Sequence, residues 1–119
     1  MATQATIGKS FTFDVLFLDE VNVPVIPVNP TIDVFMYNNG SKVDLVTAAP
    51  MLPVDPPEPG RYVYVYALPL SLVDGDNIHA EMKGIDSGSG LLMYARDVVV
   101  AKSPVGGLGY GGLTARFIK

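Results

Sequence analysis

Few residues in this chain combine the type and spacing that chemistry needs. His79 is its single histidine and it has no cysteine. Thiolate catalysis, disulfides and cysteine-based metal sites are therefore excluded. His79 falls in an alternating stretch, on its polar face, where a lone histidine is expected to be solvated. No G-x-S-x-G elbow positions a serine for nucleophilic attack. Asp19-Glu20 is a carboxylate pair at a strand end, where charge marks the exit to solvent. Glu81 is expected to form a cross-strand ion pair with Arg96 or Lys83, worth about a few tenths of a kcal/mol at a surface.

Asp74-Gly75-Asp76-Asn77 offers the first oxygens of a calcium loop. Such a loop continues its ligands at alternate positions and places a glutamate at the twelfth. Ile78 and Ile85 stand there instead, so the stretch is expected to be a turn, with an improvised site using Asp86 as the lesser alternative. The glycine-rich run from Val105 to Gly112 resembles a phosphate cradle only superficially. A dinucleotide fingerprint needs a helix after it and an acidic residue about 20 positions on, and no acidic residue follows in this sequence. The expectation is a non-enzymatic protein without metal or cofactor.

Two groups of residues fit binding better than catalysis. Tyr62, Tyr64 and Tyr66 alternate with Val63, Val65 and Ala67. With the valines turned inward, the tyrosines would stand half-exposed and offer a face for a sugar or a protein, since tyrosine gives contact area at low entropic cost. Ordinary strand packing is the other reading. The second group lies in the last seventeen residues, 103–119, of which five are glycine. Leu108, Tyr110, Leu113, Phe117 and Ile118 are apolar there, and Arg116 is basic. Disordered ends are usually polar, and each large apolar side chain left in water forgoes roughly 1.5–3 kcal/mol. Apolar anchors on a glycine leash suit docking onto a neighbour, as an added strand or in a groove. Folding back onto its own domain and simple disorder are the alternatives.

The elements that carry these residues read as strands. Phe11, Phe13, Val15 and Phe17 alternate with Thr12, Asp14, Leu16 and Leu18, and the period of two argues a strand. Its second face turns apolar at Leu16 and Leu18, so that end is expected to be covered on both sides. Pro24, Pro27 and Pro30 predict an extended edge segment over Val21–Pro30, because proline lacks a ladder donor. Thr31–Tyr37 follows as a strand, Asn39-Gly40 is a hairpin signal, and Lys42–Thr47 returns. Prolines fill Ala48–Gly60, which predicts a stiff loop. Leu68–Val73 is expected to form a short helical turn. Ile78, Ala80 and Met82 alternate with His79, Glu81 and Lys83 as an amphipathic strand. Leu91–Ala101 is expected to be the last strand and the longest.

The chain has 119 residues, 49% of them hydrophobic, enough for one domain with its own core. About seven strands, with turns every 8–12 residues, predict an immunoglobulin-like antiparallel β-sandwich over residues 1–102, with a C-terminal arm over 103–119. A small barrel is the alternative. Eight Lys and Arg against twelve Asp and Glu give a net charge of −4. The bases are scattered, which argues against a nucleic-acid partner. No apolar run approaches the roughly 20 residues of a membrane span. Met1–Thr6 shows no basic region followed by an apolar stretch, so no signal peptide is expected and synthesis is placed in the cytoplasm.

The stretch "GRYVYVYALPLSLVDGDNIHAEMKGID", followed by "LLMYARDVVVA", resembles the immunoglobulin-like accessory domains of tailed-bacteriophage structural proteins and bacterial surface proteins. The resemblance covers about residues 8–102 and is one of pattern: a Gly-x-Tyr strand, a Leu-Pro step, an Asp-Gly-Asp turn and a closing hairpin. It implies a virion component that decorates or cements a capsid, or sits at the neck, tail or baseplate. Its implied partners are other virion proteins and further copies of itself. A carbohydrate- or receptor-binding module using the tyrosine face, read from the tyrosines themselves, is the alternative role.

Overall fold

Phe11, Phe13 and Val15 share one face of strand β2 (Ser10–Leu16). Tyr66, Tyr64 and Tyr62 of β6 (Arg61–Ala67) stand directly opposite them in an antiparallel ladder, so both sets lie on the same side. This pair begins the smaller of two sheets. The structure is a computed structural model that describes residues 3–104. The chain folds as an all-β sandwich. β1 (Thr3–Thr6), β3 (Pro27–Asn38), β4 (Ser41–Pro50), β7 (Asn77–Asp86) and β8 (Leu92–Lys102) form a five-stranded sheet in the order β1-β8-β7-β3-β4. β5 (Leu52–Pro53) completes a three-stranded sheet in the order β2-β6-β5. The β1–β8 pairing is parallel, and every other strand pair is antiparallel.

The inner faces of the two sheets meet in one core. Phe13, Ile32, Val34, Ile78, Met82 and Val99 are its largest fully buried side chains. Each contributes roughly 1.5–3 kcal/mol by leaving water. Ala80 and Ala101 sit among them and let the sheets approach.

Several expectations are met. Asn39 and Gly40 both have positive φ, 52° and 82°, and join β3 to β4 through a two-residue turn. That is the primed geometry whose twist matches a hairpin. Asp74-Gly75-Asp76 is a turn, and Ile78, Ala80 and Met82 all point inward.

Others are corrected. The prolines of Val21–Pro30 do not confine it to an edge. Pro27 opens β3, which runs between β7 and β4 and at twelve residues is longer than β8. A strand's first residue tolerates proline. Pro30 falls where the β3–β7 ladder is interrupted between Val28 and Thr31, beside Asn29 with φ of 51°. The proline-rich stretch after Ala48 is only partly loop, because β4 continues to Pro50 and Met51 is buried in the core. Leu68–Val73 contains a turn closed by the Leu72 N–H on the Pro69 carbonyl, not a helix.

Candidate functional site

The tyrosine ladder faces the opposite way from that expected. Tyr66 is buried, and Tyr62 and Tyr64 are half-buried against the core, while Val65 is 60% exposed. Their partners on β2 explain the inversion. Phe11, Phe13 and Val15 can only face inward, and the ladder register places the tyrosines on that same side. Tyr66 packs against Phe13 with ring centroids 6.5 Å apart, and Tyr62 meets Phe17 edge-on at 6.1 Å. Burial, with the neighbouring Tyr64 adding to it, pushes the Tyr66 hydroxyl above its ordinary value. These rings therefore do not form an outward ligand face.

His79 is not a lone solvated residue. It stacks on Phe35, centroids 5.3 Å apart and planes within 7°, with Tyr37 edge-on at 5.5 Å. Lys42 Nζ caps the Phe35 ring at 4.4 Å. Phe35 is buried beneath this cluster and outside the main core. The register that sets Phe35 opposite His79 creates the contact.

The carboxylates close turns and pair with bases. Asp74 Oδ1 accepts the Ser103 N–H at 2.8 Å, and Asp76 Oδ2 accepts the Val73 N–H at 2.8 Å. Asp19 Oδ1 accepts from the N–H groups of Val21 and Val23. Asp86 accepts the Gly88 N–H, which holds its carboxyl below the ordinary value. As expected, Glu81 pairs with Arg96 across β7 and β8, at 3.0 Å, and it also accepts from the Tyr94 hydroxyl. Lys83 turns instead to Asp33, at 3.2 Å. On the smaller sheet Arg61 reaches both oxygens of Asp14. Among the described residues no three His, Cys, Asp or Glu side chains converge as a metal site. Among the described residues no helix is long and apolar enough to cross a membrane.

The feature that stands out is a groove of about 630 Å³ between the two sheets. One wall is the end of β2 and the chain that follows it, with Leu16, Phe17 and Leu18. The other is the start of β8, with Leu91, Leu92 and Met93. Asp19, Glu20 and Asp86 lie at its rim. The groove exists because the sandwich is not closed on this side. β1 pairs with β8 only from Val99 to Lys102. Among the described residues, the preceding stretch of β8 has β7 on one side and no strand on the other. β2 is likewise the last strand of its sheet. Leu16 and Leu18 are 48% and 36% exposed, and Leu91 and Leu92 are 54% and 63% exposed. The two-sided cover expected for Leu16 and Leu18 is thus missing within the described residues.

Leu108, Tyr110, Leu113, Arg116, Phe117 and Ile118 lie outside the described residues. No protein-family model matches the chain, and no curated protein matches it in sequence. The groove residues escaped sequence reasoning except for one signal, the apolar second face at Leu16 and Leu18. Nothing local in the sequence says that β8 and β2 flank the same opening, because that follows from the sheet order.

Proposed function

We propose that this protein is a non-enzymatic structural protein of a tailed-phage virion, an immunoglobulin-like sandwich that binds neighbouring virion proteins and further copies of itself. The observation that supports binding to protein neighbours is the open side of the sandwich, where two strand edges and four exposed leucines flank one groove. Unpaired edges are templates for another chain, and an exposed apolar cleft rimmed by charge is a place for a protein partner. The carboxylates and bases are dispersed over both sheets, engaged in turns and ion pairs. The sheet order supports the immunoglobulin-like part. β8-β7-β3-β4 and β2-β6-β5 follow the G-F-C-C′ and B-E-D orders of that sandwich, with β1 as the first strand moved onto the G edge. The virion assignment rests on the sequence resemblance, which the sheet order fits.

A glycan- or receptor-binding role relied on an exposed tyrosine face, and with those rings against the core no observation favours it. Quantitative mass spectrometry of purified particles tests the proposal. The expected result is this chain at a fixed copy number relative to capsid or tail proteins. Its absence from particles, while it is abundant in the infected cell, would overturn the assignment.

A further inference from the structure

The groove has walls, a rim and a free strand edge, and the same sequence contains a segment matched to all three. We infer that the groove between β2 and β8 receives residues Leu113–Lys119 of a second copy, added as a strand antiparallel to β8. This deepens the assembly reading by naming the partner surface and the segment that fills it.

Length comes first. Leu113–Lys119 is seven residues, and Leu91–Asp97, ahead of the part of the edge that β1 occupies, is also seven. At about 3.3 Å per residue each spans roughly 23 Å. Pattern comes second. In an extended segment Leu113, Ala115 and Phe117 share one side. Placing Phe117 opposite Met93 puts Ala115 opposite Ala95, and Leu113 opposite Asp97. Met93 and Ala95 lie half-buried against the core, on the inner side of β8. Phe117 then fills the apolar slot beside Phe17 and Leu18, while Ile118 covers the exposed Leu92.

Charge decides direction. Asp86 donates its N–H to the Leu91 carbonyl and so marks the Leu91 end of the groove, and Asp19 and Glu20 belong to the same lining. The antiparallel direction brings Lys119 opposite Leu91, whose carbonyl already accepts the Asp86 N–H. The parallel direction would send Lys119 to the far end, where Asp97 is the one carboxylate of the paired stretch, against three in the groove lining. Net charge −4 makes copies repel overall, so a basic segment meeting an acidic rim sets orientation more than strength.

A second copy is favoured over the chain's own segment by the position of β1. The chain leaves β8 at Lys102, and the β8 edge from there back to Val99 is already taken by Thr3–Thr6. A hairpin directly back along β8 is blocked, whereas among the described residues no strand pairs with Leu91–Asp97 on that side, where a neighbour's segment can add.

The absence of cysteine makes a direct test possible. A tagged full-length Ala95→Cys chain and an untagged full-length Ala115→Cys chain are mixed in a glutathione redox buffer. The expected result is a mixed disulfide dimer. The same Ala115→Cys chain should give at most about a tenth as much with Val43→Cys, whose strand is the opposite edge of the larger sheet. Equal yields at both positions, or no mixed dimer, overturn the inference. So does a double variant that cross-links only within single chains of monomeric mass. Sedimentation gives an independent reading. Phe117→Ala should raise the self-dissociation constant at least about tenfold, in line with removing a central aromatic anchor. Glu20→Lys should raise it several-fold at low salt, with the difference vanishing at high salt. Unchanged constants for both would also sink it. Chains that cross-link through the groove but are absent from particles defeat the virion assignment alone. Chains present in particles without the cross-link defeat this inference alone.

Discussion

Asp33 shows how a single residue on the outer face ties strands together. Its carboxylate accepts the Ala48 N–H at 2.7 Å and faces Lys83 Nζ at 3.2 Å, so it links β4, β3 and β7. Partial burial alone would push its carboxyl up. The Ala48 hydrogen bond and Lys83 outweigh that and hold it below the ordinary value. A carboxylate with a lowered pKa in the fold stabilises it above the unfolded value, and that contribution is lost as pH falls through the folded value. The melting temperature should therefore drop as pH falls below about 4, the ordinary carboxylate range. Asp33→Asn should flatten part of that slope, leaving the part due to Asp86. Thermal melts followed by circular dichroism between about pH 2 and pH 6 check this, and an unaltered slope would remove Asp33 from the account. Among such residues, the Glu81–Arg96 pair was legible in the sequence, because both belong to neighbouring alternating strands joined by a short tip. The stack of His79 on Phe35 was not, since those residues are 44 positions apart (79 − 35) and only strand register brings them together.

Elements were legible in kind and less so in orientation. The strand of tyrosines was plain from its period of two, but period alone yields two residue sets and not which one faces the core. Phe11, Phe13 and Val15 on the pairing strand settle that question, and the pairing is non-local. Proline misled in β3 for a related reason. Its rule concerns donors within a continuous ladder, and Pro27 and Pro30 sit at a strand start and at an interruption. The groove itself depends on sheet order, above all on the short parallel β1 that leaves the start of β8 open, and no local pattern encodes that. The orientation of β6 has a direct consequence for stability. Tyr66→Ala should cost about 3 kcal/mol or more, as for other buried aromatics cut to alanine. Val65→Thr, on the exposed face, should stay within about 0.5 kcal/mol. Urea unfolding of both variants measures the contrast, and a reversed order would mean that the valines face the core.

At the scale of the whole molecule, the described residues already share one continuous core. Among the described residues the core cluster runs from Ala5 to Ala101, and Ser103 is still tied by its N–H to Asp74. That contact falls on the first residue of the expected arm, Ser103, so a truncation that spares it ends at Pro104. A chain truncated after Pro104 should therefore keep cooperative unfolding. What it should lose is dependence on its own concentration. If Leu113–Lys119 of one copy binds the groove of another, the folded state gains stability by mass action, and the unfolded state does not. Above the dissociation constant that gain is about 1.4 kcal/mol per tenfold rise in concentration, equal to a few degrees of melting temperature. The full-length melting temperature should climb with concentration and the truncated one should stay level. The truncated chain should also bind more of an apolar dye, because Leu16, Leu18, Leu91 and Leu92 remain uncovered beside an unpaired edge. Calorimetric scans over a hundredfold range of protein concentration separate the outcomes. Parallel slopes for the two chains would place self-association elsewhere on the surface, and failure of the truncated chain to unfold cooperatively would assign residues 105–119 to the folded core.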